Sequence, residues 1–305
     1  MTVLLLIGPT AVGKSEVAVA VAEAVGGEII SADARAIYRG LEIGTDRPPR
    51  EILARVPHHL VGILDPLERY DAARFRADCE RLVAEIQGRG HRAIIAGGST
   101  LYVRALTRGL SPGPAADPEL RAELAQHPTA ELREELERVD PASAARIHPA
   151  DRVRLIRALE VHRLTGQPLT AAWGSEKAFP WPLVRVGLAV ERSELGRRIE
   201  ARVARMFAEG LVEEARGLWD RNLPPEAPAG RTIGYRELFP YFAGEYDLAE
   251  AKRRIVRSTK AYARRQLAFF RAEPRVHWLD VTGRTPPEVA TEIIAHWQAA
   301  ESGLE

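Results

Sequence analysis

Hydrophobic positions along the chain alternate between short continuous runs and stripes at helical spacing. Val3-Leu4-Leu5-Leu6-Ile7 is an unbroken apolar run, and the segment after it keeps helical spacing as far as Val25. The first predicts a buried strand and the second a helix. Glu28-Ile29-Ile30-Ser31 reads as a second strand, with Asp33 just beyond its carboxyl end. From about Ala72 to Gln87 the residues Phe75, Cys79, Leu82, Val83 and Ile86 form one stripe of a helix closed by Gly88 and Gly90. Ala93-Ile94-Ile95-Ala96 is a third buried strand, which Gly97-Gly98-Ser99-Thr100 turns into a helix beginning near Leu101. Strands alternating with helices imply a parallel sheet, and such sheets bind ligands at the carboxyl ends of their strands. The turn after the first strand, Asp33 and Ser99 are therefore expected on one rim.

Ser111 to Pro118 is a Pro/Gly/Ala-rich break. From Glu119 to about Leu164 the chain is charged and helical, with further starts near Thr129 and Asp140-Pro141. A second break covers Gly166-Gln167-Pro168 and Trp173 to Pro182, after which Leu183 to Val190 reads as a strand. This pattern predicts a core of residues 1–114 and 183–305 with an all-helical insertion at 115–182. Ser193 is expected to cap a helix with Leu195, Ile199, Val203 and Met206 on one face, ending at Gly210. Lys252 to Arg271 contains no acidic residue. At about 100° per residue, Arg253, Arg257, Lys260, Arg264 and Arg271 share one stripe, opposite Ile255, Tyr262, Phe269 and Phe270. One face should pack and the other present positive charge.

Composition narrows the class. A chain of 305 residues, 46% hydrophobic and 28% charged, is long enough for a well-buried core and an additional lobe. No apolar run reaches the roughly 18 residues needed to span a membrane. The single cysteine, Cys79, excludes an internal disulfide and a cysteine-rich zinc site, which suits a reducing cytoplasm. A net charge of +1 means that a polyanionic partner must be met by a local basic cluster. Only four lysines occur against many arginines, and arginine abundance alone does not mark nucleic-acid binding.

Chemistry concentrates in Gly8-Pro9-Thr10-Ala11-Val12-Gly13-Lys14-Ser15, which fits the phosphate-loop pattern G-x-x-x-x-G-K-S/T between a strand and a helix. Such a loop points successive N–H groups at one anion, and the helix N-terminus adds its dipole. Lys14 supplies a mobile charge, and the Ser15 hydroxyl can ligate a Mg2+ held by the same phosphates. These features identify a bound diphosphate or triphosphate, not a reaction. A nucleotide kinase or NTPase also requires an acid at the end of an apolar strand to hold Mg2+. The Ile94-Ile95 strand ends instead in Gly97-Gly98-Ser99. Asp33 is then either the magnesium holder or a base, and the residues alone leave both open. His58 and His59 are expected to be structural, Glu42 and Asp46 to be solvated loop charges, and Tyr38 and Tyr102 either to line a channel or to pack.

The phosphate loop, I-S-A-D-A-R-A-I-Y-R-G from Ile30, P-H-H-L from Pro57, A-G-G-S-T-L-Y from Ala96, A-D-P-E-L-R from Ala116, R-A-L-E-V from Arg157, T-I-G-Y-R-E-L from Thr232 and Y-A-R-R-Q-L from Tyr262 together resemble the bacterial tRNA dimethylallyltransferases. The resemblance runs in order from Gly8 to about Arg271. It implies an α/β, P-loop NTPase-like parallel sheet flanked by helices, with the all-helical insertion serving tRNA. It further implies transfer of a dimethylallyl group from dimethylallyl diphosphate to N6 of the adenine 3′-adjacent to the anticodon, with Mg2+. The loop would then grip the donor's diphosphate rather than ATP, with Lys14, Asp33 and Ser99 catalytic and Asp33 the base. Implied tRNA contacts are Asp33, Ala34, Arg35, Ala36, Ser99 and Arg121; Val153, Arg154, Leu155, Ile156 and Arg157; Arg231, Thr232, Ile233, Gly234, Tyr235 and Arg236; and Arg264, Arg265, Gln266, Leu267, Ala268, Phe269, Phe270 and Arg271. Expected partners are the anticodon stem-loop of tRNA and dimethylallyl diphosphate, with no membrane, for a monomer in the cytoplasm. Ala34 and Ala36 depart from the family's usual residues beside the target base, and Val153 replaces a frequent glutamine. Competing functions are an adenylate isopentenyltransferase, a phosphate-loop kinase and a tRNA-binding protein without catalysis.

Overall fold

The computed structural model describes residues 1–110, 113–172, 177–223 and 227–303; Ser111, Pro112 and Trp173 of the two predicted breaks lie outside them. In chain order the elements are β1 (Val3–Ile7), α1 (Lys14–Val25), β2 (Gly27–Ser31), α2 (Arg50–Arg55), β3 (His58–His59), α3 (Ala72–Gly88), β4 (Arg92–Gly97) and α4 (Thr100–Thr107). Then come α5 (Pro118–Leu124), α6 (Thr129–Val139), α7 (Pro141–Arg146) and α8 (Arg152–Thr165). The chain continues through β5 (Leu183–Ala189), α9 (Arg192–Ala208), α10 (Leu211–Trp219), α11 (Tyr235–Phe242), α12 (Leu248–Arg271), β6 (Val276–Asp280) and α13 (Pro286–Glu301). They pack as two compact units, Met1–Thr107 with Phe179–Glu305, and Arg108–Ala178.

The first unit is built on a six-stranded sheet ordered β3-β2-β4-β1-β5-β6, parallel throughout. All five residues of β1 are buried, as a central parallel strand covered on both faces requires. Alternation sends Leu4 and Leu6 to one face, where they pack with Val17, Val21, Val186, Ile293 and Trp297. Val3, Leu5 and Ile7 fill the other face. Because the strands share one direction, the segments leaving β1, β2 and β4 emerge on the same rim.

The second unit is helical. Leu124, Leu132, Leu136, Ala144, Leu155, Ala158 and Leu159 form its core. Asp117, Asp140 and Asp151 cap α5, α7 and α8 by accepting amide N–H bonds in the first turn.

Two local expectations are corrected. Ser193 does not cap α9: β5 ends at Ala189, helical geometry begins at Arg192, and Glu191 holds the cap position while accepting a hydrogen bond from the Ser193 hydroxyl at 2.6 Å. Asp46 is not a solvated charge, since it is ion-paired with Arg202 and Arg205. His58 and His59 form the two-residue β3, and His59 bonds the buried carboxylate of Glu28 at 2.7 Å. Among the described residues no helix is long and apolar enough to cross a membrane.

Candidate functional site

At the carboxyl end of β1 the chain enters the phosphate loop with left-handed backbone at Ala11 (φ 64°) and Gly13 (φ 98°). This alternation turns successive N–H groups to one side and forms an anion nest above the N-terminus of α1. The N–H groups of residues 11–15 have no hydrogen-bond partner among the described residues. Lys14 Nζ donates to the Pro9 carbonyl at 2.6 Å. Burial pushes the Lys14 ammonium down to about 7, the opposing charges of Asp33 and Asp46 being insufficient against burial and Arg202.

Two helices from later in the chain complete the loop. Arg202 of α9 donates to Thr10 Oγ1 at 2.7 Å and pairs with Asp46 at 3.3 Å. Burial lowers its pKa, with Asp46 and Asp33 opposing. Arg198, one turn earlier, donates to the Val12 carbonyl at 3.3 Å. From α12, buried Gln266 accepts from the Thr10 N–H at 2.8 Å and donates to the Gly98 carbonyl at 2.8 Å. It ties the phosphate loop to the loop after β4. Gly98 makes room for this tie, since a Cβ there would lie 2.4 Å from Gln266 Nε2.

Asp33 lies two residues past the end of β2, and its Oδ1 accepts the N–H groups of Arg35 (2.7 Å) and Ala36 (3.2 Å). The turn thus fixes the carboxylate, while Oδ2 has no donor among the described residues. Ser99 is buried, with its N–H on the Ala32 carbonyl at 3.1 Å, and its own carbonyl caps α4. β2, β4 and β1 are neighbours in that order, so the rim carries Asp33, Ser99 and the phosphate loop together. Tyr38 and Tyr102 are both buried; Tyr102 stacks on Phe75 at 4.1 Å, and burial pushes its phenol up. They pack rather than line an open channel.

The described residues include no group of three or more His, Cys, Asp or Glu side chains able to hold a metal. Ser15 is exposed at the head of α1. A divalent cation here would be held chiefly by a ligand's phosphate oxygens and water, with the Ser15 hydroxyl as the protein's contribution, a donor set that suits Mg2+.

In the helical unit, Glu160 is fully buried and accepts from Arg121 (2.7 and 2.8 Å), Arg157 (2.6 Å) and the Asp117 N–H (2.8 Å). Burial alone would raise its pKa, but these bonds bring it below the ordinary range. Arg121 and Arg157 are thereby engaged by Glu160, whereas Val153 and Arg154 stand well exposed and Leu155 is core. Ile156 is packed at the edge of that core. On the first unit, Arg231 and Arg236 are exposed, while Thr232 and Tyr235 are buried, with Ile233 and Gly234 between them. Along α12, Arg264, Arg265, Ala268 and Arg271 face solvent; Leu267 and Phe269 are partly buried, and Gln266 and Phe270 fully so.

The IPP transferase family model matches residues 36–273, and an isopentenyl transferase model matches residues 1–63. The chain belongs to the IPP transferase family. The tRNA dimethylallyltransferase of Geobacter sulfurreducens is 47% identical, over 90% of each chain. That of Thioalkalivibrio sulfidiphilus is 42% identical, over 98% of this chain and 96% of its own. The crystal structure of the full-length tRNA isopentenylpyrophosphate transferase of Bacillus halodurans superposes with a TM-score of 0.74 at 36% identity, covering 99% of this chain and 98% of that one. A eukaryotic dimethylallyltransferase acting on tRNA shares the fold at a TM-score of 0.83. Within this IPP transferase, Arg198, Arg202 and Gln266 join the phosphate loop through long-range contacts. Arg202 left a signal in the sequence: at about 100° per residue it falls beside Leu195 and Met206, on the buried stripe of α9.

Proposed function

We propose that this protein is a tRNA dimethylallyltransferase that moves the dimethylallyl group of dimethylallyl diphosphate to N6 of the adenine 3′-adjacent to the anticodon, releasing diphosphate. The observation that carries the reading is the meeting, on one rim, of an anion nest flanked by Lys14 and Arg202 with a fixed carboxylate whose Oδ2 is unengaged. The names of the curated relatives support the same assignment. A phosphoryl-transfer enzyme would want an acid where β4 instead ends in Gly97, followed by Gly98 and Ser99.

The chemistry follows from the groups present. The exocyclic amine of adenine is a weak nucleophile, because its lone pair is delocalised into the ring. The allylic C–O bond must therefore be broken with help: as it lengthens, its electron pair goes to the diphosphate, and the amides of the nest, Lys14 and Arg202 meet the growing charge. Mg2+, when bound, adds neutralisation of the same charge. N6 bonds to the allylic carbon and becomes cationic, and Asp33 Oδ2 takes its proton. Ser99, whose N–H is held by the Ala32 carbonyl, is assigned a hydroxyl contact to both partners. Turning the adenine out of its stack costs a few kcal/mol, which recognition of the anticodon loop must offset. We assign that role to the exposed parts of the predicted segments, unit by unit: Arg264, Arg265 and Arg271 on α12 with Arg231 and Arg236 on the first unit, and, separately, Val153 and Arg154 on the helical unit. We place the protein in the cytoplasm as a monomer.

Purified protein with Mg2+, labelled dimethylallyl diphosphate and an unmodified anticodon stem-loop should give N6-prenylated adenosine on digestion to nucleosides. Label in free AMP but not in the stem-loop would assign the core to a nucleotide substrate instead.

A further inference from the structure

The loop from Leu41 to Arg47 has no regular secondary structure, yet it presents two groups to Arg202: the Asp46 carboxylate at 3.3 Å and the Thr45 carbonyl at 3.5 Å. Asp46 sits in left-handed backbone (φ 55°), which a non-glycine residue keeps only where its surroundings hold it. The turn is closed by the Asp46 N–H on the Ile43 carbonyl and the Arg47 N–H on the Glu42 carbonyl, both at 3.0 Å, and Arg205 also pairs with the Asp46 carboxylate; the start of the turn is anchored by one carboxylate from another element. Glu214 of α10 accepts the consecutive N–H groups of Glu42 (2.9 Å), Ile43 (2.9 Å) and Gly44 (3.0 Å). The fully buried Tyr235 donates its hydroxyl to the same carboxylate at 2.6 Å and accepts from the Gly44 N–H at 3.1 Å. Gly44 lies against the phenol so closely that a Cβ would fall 2.4 Å from the ring.

We propose that Glu214 and Tyr235 are positioning residues for the diphosphate site. Their four hydrogen bonds fix loop 42–44, the loop fixes Asp46, and Asp46 aims the Arg202 guanidinium at Thr10 of the phosphate loop. This rests on the reading above that the loop binds the donor's diphosphate. A carboxylate is needed because all three backbone groups are donors: an amide in its place turns an N–H2 toward one of them and leaves it unpaired. Without Asp46 in place, Arg202 loses its ion-pair partner and its orientation, while Lys14 and Asp33 keep theirs.

The test measures binding of inorganic diphosphate with Mg2+ by calorimetry, well below the melting temperature, for the wild type, Glu214→Gln, Tyr235→Phe, Arg202→Gln and the double variant Glu214→Gln/Arg202→Gln. Glu214→Gln should weaken diphosphate binding about tenfold or more. Tyr235→Phe should weaken it less, both should raise KM for the donor, and Glu214→Gln should leave tRNA affinity unchanged. In the Arg202→Gln background, Glu214→Gln should add almost nothing, because it acts through that guanidinium. Undiminished diphosphate affinity in both Glu214→Gln and Tyr235→Phe, or full additivity in the double variant, overturns the proposal. Should Glu214→Gln not fold, Tyr235→Phe and its double with Arg202→Gln carry the same comparison. Wild-type protein that binds no diphosphate, or binds it independently of Lys14, overturns the underlying reading instead.

Discussion

Lys14 spends its charge on a backbone carbonyl, at 2.6 Å from Pro9, in surroundings that bring its pKa to about 7. Diphosphate arriving in the nest reverses the balance, since an anion beside the ammonium favours the protonated form. Below about pH 7 the lysine is already charged and binding needs no proton; above it, binding must draw one from solvent, so affinity falls as pH rises. At pH 8, calorimetry in buffers of differing ionisation enthalpy should show uptake of about one more proton by the wild type than by Lys14→Gln. Equal uptake would mean that Lys14 is charged in the free protein. The role proposed for Asp33 belongs to a different step. Asp33→Ala should lower turnover by about 10² to 10⁴ with tRNA affinity little changed, measured by single-turnover transfer and filter binding.

Among the elements, α9 and α12 each pack on one side while carrying site residues. The buried line of α12 is Ala251, Ile255, Thr259, Ala263, Gln266 and Phe270. Gln266 replaces apolar packing with two hydrogen bonds that join the loops after β1 and β4. Gln266→Leu should lower thermal stability, because it leaves the Thr10 N–H and the Gly98 carbonyl unpaired at about 1–3 kcal/mol each. On the opposite side Arg253 is paired with Glu250 and Lys260 with Glu200, while Arg257, Arg264 and Arg271 have no ion-pair partner among the described residues. Arg264→Ala should weaken tRNA binding and reduce its salt dependence by about one phosphate's worth; an unchanged slope would remove it from the interface. The strands β1, β2 and β4 and the helix stripes were legible because burial on a regular element leaves a periodic signature. The two-residue β3 and the half-buried β6 are too short or too polar to leave one. Glu214 and Tyr235 matter through partners some 170 to 190 positions away, which no local spacing encodes.

Across the molecule, the rim proposed to carry chemistry is balanced by an ionic knot involving the opposite, amino-terminal side of the sheet. Glu28, at the start of β2, is buried and bonds Arg89, His59 and His91. Burial would raise its pKa, but these partners bring it down to about 2. A folded pKa below the unfolded value contributes stability above the unfolded pKa that is lost as pH falls through the folded one. The melting temperature should therefore drop between about pH 4.5 and pH 2 more steeply for the wild type than for Glu28→Gln, followed by circular dichroism. Parallel melting curves would show that the knot does not govern acid stability. On the reading proposed above, the phosphate loop holds a prenyl donor rather than a nucleoside triphosphate. The decisive measurement is binding of a non-reactive analogue of dimethylallyl diphosphate in competition with ATP. The account predicts tight, Lys14-dependent binding of the analogue that ATP does not displace. ATP displacing it, and being consumed while the stem-loop stays unmodified, would contradict the account.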